Sequence, residues 1–187
     1  MPEQLDLWTP APPGRAPAPP RVSLAPDASL EDARAYVRQR LDDGVECPCC
    51  GRLAKRYVIK LNSTIAAWLV ALTRITEQGN TWAHAREASA CVVGAGASAV
   101  GYAYLQHWGL VEQADKDAGR SGHWRPTDFG VEFVRNRVLV PKCVVLWNNR
   151  LEGFGGELVT IRDALGSRFD LKELMAARPT DNRTEDM

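Results

Sequence analysis

The clearest pattern along the chain is a stripe of apolar residues that recurs every three or four positions between residues 62 and 79. Such spacing places the residues on one face of an α-helix, which has about 3.6 residues per turn. The stripe comprises Ile65, Trp68, Leu69, Leu72 and Ile75. Asn62 or Ser63 supplies an N-cap, and Gly79 marks the expected end of the helix. The pattern therefore predicts a buried helix in the middle of the chain.

A more polar pattern predicts an earlier helix, which begins after Ser29 and ends near Gly44. Ser29 is a favourable N-cap, and the carboxylates of Glu31 and Asp32 suit the positive end of the helix dipole. Its expected buried face comprises Leu30, Ala33, Val37 and Leu41. The next apolar stretch, residues 52–61, is rich in Tyr, Val and Ile, which predicts a single strand.

The following part of the chain predicts short helices and one hairpin. Helices are expected at residues 81–91 and 98–108, where glycines break the pattern between them. Residues 110–114 and 123–125 have the composition of strands, and the polar loop between them predicts a hairpin. Thr127 is an N-cap for another short helix, which is expected to close the core. Its apolar residues are Phe129, Phe133 and Val134.

The C-terminal part predicts a second hairpin and two short helices. Strands are expected at residues 139–147 and 157–161, around a turn with two asparagines and three glycines, and helices at residues 162–165 and 170–177. These elements predict an α+β fold in five segments. The segments are a Pro-rich tether (1–28), a helix with a cysteine-rich turn and a basic strand (29–61), three helices with a hairpin (62–138), a C-terminal hairpin with helices (139–178) and a frayed tail (179–187).

Composition adds information about the N-terminus and the charge balance. Eight of the 12 prolines fall in the first 26 residues, which favours an extended, disordered tether. The 23 Lys and Arg balance the 23 Asp and Glu, so any contact with nucleic acid must be local. No apolar run approaches the roughly 20 residues of a membrane-spanning helix, and no basic and apolar leader opens the chain. We therefore expect a cytoplasmic protein.

The predicted elements of residues 62–138 follow the order three helices, a hairpin and a final helix. Within them, residues 104–113 read YLQHWGLVEQ and residues 119–133 read GRSGHWRPTDFGVEF. This pattern resembles winged helix-turn-helix proteins over about residues 62–138, with RPT in place of the usual apolar residue before the threonine. The resemblance implies a core of Tyr104, Leu105, Trp108, Leu110 and Val111, a helix end at Gly109, and a return element with Thr127, Gly130 and Phe133. From the cysteine segment onward, the chain is also similar to small bacteriophage proteins of unassigned role.

A winged helix usually reads DNA by placing its third helix in the major groove. That helix carries no Arg or Lys here, and residues 62–140 hold seven basic and seven acidic side chains. Candidate DNA contacts in this unit are Ser98, Gln106, Arg120 and Arg125, with His107, Arg135 and Arg137 nearby. A denser basic group comprises Arg52, Lys55, Arg56 and Lys60. That group can also be a solvated strand edge, and winged helices also bind proteins, so both alternatives stay open.

The five cysteines are an odd, clustered set that suits reduced thiols or metal ligands better than disulfides. The segment CPCCG, residues 47–51, resembles the zinc-knuckle turn C-P-x-C-G, which implies that Cys47 and Cys50 are thiolate ligands of a structural Zn²⁺. A tetrahedral site needs two more ligands, and the usual second C-x-x-C is missing. Cys49 and His84 are the first candidates to complete it, ahead of Cys91, His107, His123 and Cys143. The alternative is that the thiols pack as small apolar side chains.

The N-terminal residues Gln4, Leu5, Asp6, Leu7 and Trp8 resemble the bacterial sliding-clamp-binding motif Q-L-(S/D)-L-F, with Trp8 in place of Phe. The resemblance implies that Gln4 hydrogen-bonds in a small subsite and that Leu7 and Trp8 enter an apolar pocket. The tether behind the peptide would hold the folded body near DNA at raised effective concentration. The alternatives are that the pentapeptide packs back onto the body or occurs by accident.

These observations rank three functions. Known catalytic motifs are missing from the sequence, so we expect a protein that is not an enzyme. The leading hypothesis is a phage-type accessory protein of DNA metabolism, which contacts double-stranded DNA or a replication protein while held on the sliding clamp. The second is a protein-interaction module or inhibitor that does not touch DNA. The third is a transcriptional repressor, which predicts dimers.

Overall fold

The computed structural model describes residues 24–25, 27–77, 82–92, 101–114 and 121–176. The chain forms two compact units, Met1–Arg56 and Tyr57–Met187. The helices are α1 (Leu30–Gln39), α2 (Ser63–Glu77), α3 (Ala85–Ala90), a 3-10 helix (Tyr102–Trp108), α4 (Asp128–Val134), α5 (Ile161–Leu165) and α6 (Leu171–Ala176). The strands are β1 (Val45–Glu46), β2 (Leu53–Ala54), β3 (Tyr57–Lys60), β4 (Ala83–His84), β5 (Val111–Gln113), β6 (His123–Pro126), β7 (Val140–Trp147) and β8 (Arg150–Val159). The fold is mixed α+β with small antiparallel sheets.

The first unit contains α1 and the β1–β2 hairpin. Ser29 caps α1 as predicted, because its hydroxyl accepts from the Asp32 amide while the Asp32 carboxylate accepts from the Ser29 amide. Ala33, Val37 and Leu41 are buried, but the prediction for Leu30 is wrong, since this residue at the first helical position is 58% exposed. The helix also ends at Gln39, earlier than expected, and a turn leads on to Gly44.

The single strand predicted at residues 52–61 is two strands that belong to different sheets. β2 pairs with β1, whereas β3 pairs with β7 in the second unit. The break lies at Lys55 and Arg56, where the Arg56 amide donates to the Leu41 carbonyl at 2.8 Å instead of continuing a ladder. The sequence pattern placed residues 57–60 in one segment with the first helix (29–61). In the structure they belong instead to the β3–β7–β8 sheet of the second unit.

Helix α2 is the centre of the second unit, as its apolar stripe predicted. Trp68, Leu69 and Leu72 are fully buried, and α3, α4, α5 and α6 all pack against this helix. The Asn62 carboxamide accepts from the amides of Thr64 and Ile65, both at 3.1 Å, which fixes the start of the helix. Gly79, the expected helix end, lies outside the described residues. No helix in the described ranges is long and apolar enough to cross a membrane.

The predicted hairpin at residues 110–125 is confirmed by the antiparallel pairing of β5 with β6. A short strand that the sequence did not predict, β4, pairs with the other edge of β6 and gives the order β4–β6–β5. This strand occupies the first part of the helix expected at residues 81–91, so α3 is only six residues long.

The helix predicted at residues 98–108 is a 3-10 helix that begins at Tyr102. Gly101 and Gly109 flank this helix and adopt left-handed backbone conformations, with φ 113° and 70°. Because such residues cannot continue a right-handed helix, they set its two ends. Its buried residues, Leu105 and Trp108, are three apart, and a helix with about three residues per turn brings them to the same side. Ser98 lies outside the described residues.

Helix α4 returns to the core as predicted. The Thr127 hydroxyl donates to the Gly109 carbonyl at 2.6 Å and accepts from the Gly130 amide at 3.0 Å, which ties the helix start to the end of the 3-10 helix. Phe133 and Val134 are buried. The prediction for Phe129 is wrong, because this residue in the first turn is 43% exposed.

The second hairpin forms the sheet β3–β7–β8. Its turn is only two residues long, because Asn148 and Asn149 adopt left-handed conformations with φ 49° and 59°. Strand β8 therefore starts at Arg150 rather than at residue 157, and the glycines expected in the loop lie within the strand. The short helices α5 and α6 follow close to their expected positions.

Candidate functional site

The β1–β2 hairpin carries three of the five cysteines at its tip, at residues 47–52, which we call the cysteine turn. The Cys47 amide donates to the Arg52 carbonyl and the Gly51 amide donates to the Cys47 carbonyl, each at 2.8 Å. Gly51 has φ +69°, a left-handed conformation that glycine adopts without strain. The thiols of Cys49 and Cys50 are exposed and that of Cys47 is half-buried.

The turn also sets the acidity of one thiol. The backbone amides of Cys49 and then Cys50 donate to the Cys47 sulfur and hold the pKa of that thiol below its usual value, with smaller help from the neighbouring thiols. Desolvation acts in the opposite direction and is outweighed. Amides that point at a sulfur stabilise its thiolate, which is the form that binds metal. The turn therefore favours the thiolate form of Cys47.

The cysteine turn supplies three thiols, but the described residues contain no complete metal site. Every Cys and His of the chain falls within the described ranges. Among those ranges, no group of three or more His, Cys, Asp and Glu side chains is arranged to hold a metal ion. Cys47 and Cys50 thus remain a candidate pair whose remaining ligands are unassigned.

His84, the first candidate for a further ligand, already has a structural role in the second unit. Its Nδ1 accepts from the Arg86 amide at 3.1 Å, and its own amide donates to the Glu87 carboxylate at 3.3 Å. This is a capping box for α3, and only Nε2 is left for another partner. The His84 ring also packs edge-on against His123 across β4 and β6, with centroids 5.2 Å apart. Glu87, three residues after His84, was a sequence signal for this cap.

The other candidate ligands lie on separate elements of the second unit. Cys91 follows α3, His107 belongs to the 3-10 helix, and Cys143 is buried on β7. The alternative that thiols pack as apolar side chains describes Cys143 well, since it is 8% exposed. It does not describe the exposed thiols of Cys49 and Cys50.

Arg125, the described arginine of the β5–β6 hairpin, is paired with an acid. The Arg125 Nε donates to the Glu112 carboxylate at 2.6 Å, and its guanidinium lies 4.4 Å from the centre of the Trp82 ring. Both the charge and the planar face of Arg125 are therefore engaged within the sheet. Sequence reasoning missed Glu112 because it considered the cations without their cross-strand neighbours.

The arginines that follow α4 share a single acid. Arg135 and Arg137 reach the Glu132 carboxylate at 3.6 Å and 3.1 Å. Gln106 is exposed on the 3-10 helix, so it stays available for contact. Ser98 and Arg120, the remaining candidate DNA contacts of this unit, lie outside the described residues.

The basic group at residues 52–60 is divided between the two units. Arg56 forms an ion pair with Asp42 at 2.8 Å, while Arg52 and Lys55 are exposed in the same unit. Lys60 is exposed on β3 in the second unit. These four cations therefore do not form the single basic strand that the sequence suggested.

The clamp-like peptide, Gln4, Leu5, Asp6, Leu7 and Trp8, lies outside the described residues, so the structure does not test it. Comparisons with models of known protein families, with curated protein sequences and with solved structures found no match. The function is therefore inferred from the residues and their arrangement.

Proposed function

We propose that this protein is a docking module of the winged-helix type that acts in DNA metabolism, held on the bacterial sliding clamp by residues 4–8. The observation that carries the proposal is the connectivity of the second unit. It runs α2, β4, α3, 3-10 helix, β5 and β6, with the sheet order β4–β6–β5. This resembles a winged helix, in which a hairpin follows three helices and a short strand after the first helix completes the wing sheet. Helix α4 then packs back through Phe133.

The charge arrangement favours a protein over DNA as the target of the folded body. Binding to phosphates requires unpaired protein cations that can replace the counterions of the nucleic acid backbone. Arg125, Arg135 and Arg137 each lie within ion-pair distance of a glutamate. The 3-10 helix, at the position of a recognition helix, offers the amide of Gln106 and no Arg or Lys. We infer that this surface meets a protein of the replication machinery.

Exposed apolar side chains on the β3–β7–β8 sheet support the same choice. Tyr57 and Val58 on edge strand β3 are 52% and 59% exposed, and Phe154 and Leu158 on edge strand β8 are 53% and 61% exposed. Aromatic and aliphatic side chains of this size are typical of the centre of protein–protein interfaces. DNA offers such groups little that is complementary.

The proposed tether has a physical role in this scheme. A short clamp-binding peptide raises the concentration of the body near its target, so a weak second contact suffices. The chain has no net charge, so long-range attraction to DNA does not supply this enrichment. Attachment through Gln4, Leu7 and Trp8 would supply it instead.

The clamp contact is tested by surface plasmon resonance with immobilised clamp. We expect the wild-type chain to bind and Leu7→Ala/Trp8→Ala to bind at least tenfold more weakly, because both pocket-filling side chains are lost. The matched control, Pro12→Ala/Pro13→Ala, alters the tether outside the motif and should bind like wild type. Equal affinity of all three proteins would exclude the clamp contact.

The target of the body is tested by fluorescence anisotropy with labelled duplex DNA between about 50 mM and 200 mM salt. A protein-binding body should give no salt-sensitive binding in this range. Binding that weakens by about a thousandfold or more would show several phosphate contacts and would support the alternative, in which the wing and the 3-10 helix read DNA.

A further inference from the structure

We propose that the cysteine turn is one half of a zinc site and that a second copy of this chain supplies the other half. One Zn²⁺ would then be held by Cys47 and Cys50 of each of two copies, as a joint between them. This inference does not depend on the clamp contact or on the winged-helix interpretation. It extends the resemblance of the turn to a zinc knuckle.

The local geometry presents the thiols outward. Strands β1 and β2 end on either side of the turn, and the hydrogen bonds between Cys47 and Arg52 and between Gly51 and Cys47, each 2.8 Å, close it. Cys50 is exposed at the tip and Cys47 is half-buried beneath it. Cys47 and Cys50 thus belong to one turn whose backbone is closed by hydrogen bonds.

The count of ligands points outside the chain. Structural zinc takes four ligands, almost always thiolate or imidazole. The first unit holds three cysteines and no histidine, and no group of three potential ligands in the described ranges can hold a metal. The residues outside those ranges contain neither Cys nor His. They cannot add the missing sulfur or nitrogen.

The remaining Cys and His residues are less suited to complete the site than a second turn is. His84 uses Nδ1 to cap α3, and Cys143 is buried within the β7 strand. Recruiting either would disturb an element of the second unit. A second copy of the turn, by contrast, brings two thiolates with the same spacing and the same supporting amides. A twofold axis through the metal would complete a tetrahedron of four sulfurs.

The charges around the turn fit this arrangement. Binding of Zn²⁺ by four cysteines releases four protons and leaves a centre with two negative charges. Arg52 and Lys55 are exposed cations next to the turn in each copy and would offset that charge. The basic residues that the sequence suggested for DNA would thus have a role beside the metal.

The test uses the full chain, stripped of metal under reducing conditions and then titrated with ZnCl₂. Light scattering after size exclusion should show the mass rise from that of one chain, 20.6 kDa, to that of two. Elemental analysis should find one zinc per two chains, and a chelator should restore the monomer. One zinc per chain in a monomer, no bound zinc, or a dimer that forms without metal would each overturn the proposal.

Three single variants assign the ligands. Cys47→Ser and Cys50→Ser should abolish zinc-dependent dimerisation, whereas Cys49→Ser, an exposed thiol of the same turn, should retain it. Co²⁺ is the second probe, because a tetrahedral four-thiolate site gives intense visible absorption that saturates at half an equivalent per chain. This readout on the wild-type protein does not depend on whether the variants fold. Saturation at a full equivalent, or loss of dimerisation in Cys49→Ser, would contradict the assigned ligand set.

Discussion

Gly130 lies where helix α4 meets the backbone of Leu110, just before strand β5. A Cβ atom at this position would come 2.0 Å from the carbonyl oxygen of Leu110, far inside van der Waals contact. Only glycine therefore allows α4 to approach so closely that Phe133, one turn later, is fully buried. The resemblance to a winged helix named Gly130 as part of a return element, and the structure gives that glycine a steric reason.

We expect Gly130→Ala to destabilise the protein by about 2 kcal/mol or more, because α4 must move away from a rigid backbone atom. The measurement is the urea unfolding midpoint, followed by tryptophan fluorescence. Gly153→Ala is the control, since a Cβ there meets nothing within 4 Å. If both variants unfold at the same urea concentration, the close approach of α4 does not contribute to stability.

The site residues show what the sequence could and could not predict at this scale. The pair Cys47 and Cys50 was recognisable because the turn that positions their sulfurs is encoded in five adjacent residues. The ion pair of Arg125 with Glu112 was not, since it joins residues on two strands. A count of charges along the chain treats every cation as available to bind phosphate. Pairing with an acid on a neighbouring strand makes a cation such as Arg125 less available.

For helices and strands too, features set by neighbouring residues were predictable from the sequence, and features set by distant residues were not. The caps at Ser29 and Thr127 were predicted correctly, and Asn62 was one of two residues expected to cap α2, because a cap acts on amides two or three residues away. Strand β4 and the pairing of β3 with β7 were not, because their partners lie about 40 and 90 residues further along. A strand of two residues carries no periodicity of its own.

Helix caps should make the stability of the fold sensitive to acid. Hydrogen bonds from Ser29 hold the pKa of Asp32 below its usual value, and those from Thr160 do the same for Asp163. A depressed pKa in the folded state means that stabilisation is present above the unfolded pKa of about 3.9 and is lost as the pH falls through the folded value. The melting temperature should therefore fall on acidification through this range.

The variant Asp32→Asn/Asp163→Asn tests this effect, since the Asn side chains carry no charge that acid could neutralise. Thermal unfolding followed by circular dichroism should show it less stable than wild type near neutral pH, and the two curves should converge as the pH falls through the lowered pKa values of the two carboxyls. Asp43→Asn removes an exposed carboxylate in the turn after α1 and serves as the control. A constant difference between the double variant and wild type at every pH would contradict the assignment.

The β7–β8 turn depends on a backbone conformation that few residues tolerate. Asn149 has φ 59°, which costs a β-branched residue about 1–2 kcal/mol or more. Asn149→Val should therefore lower the free energy of unfolding by that amount, while Asn149→Gly should leave it unchanged or raise it by a few tenths of a kcal/mol. Chemical denaturation compares the two. Equal stability would mean that the turn relaxes to another form at no cost.

At the scale of the whole molecule, docking and folding should be separable. Among the described residues, the buried apolar side chains lie between Ala33 and Leu165, and the proposed clamp-binding peptide lies outside the described ranges. Deletion of residues 1–23 should abolish binding to the clamp and leave the thermal unfolding midpoint within about 2 °C of wild type. Calorimetry and surface plasmon resonance on the same preparation measure both. A large fall in the midpoint would support the alternative in which the peptide packs onto the body.

The pairing of β3 with β7 also bears on how the protein is made. Residues 57–60 leave the ribosome long before residues 140–147, and α5 and α6, which pack on α2, are synthesised later still. Until then the nascent chain cannot bury Trp68, Leu69 and Leu72 in their final surroundings. Translation that stops early would release a polypeptide with this helix uncovered, a substrate for chaperones and proteases.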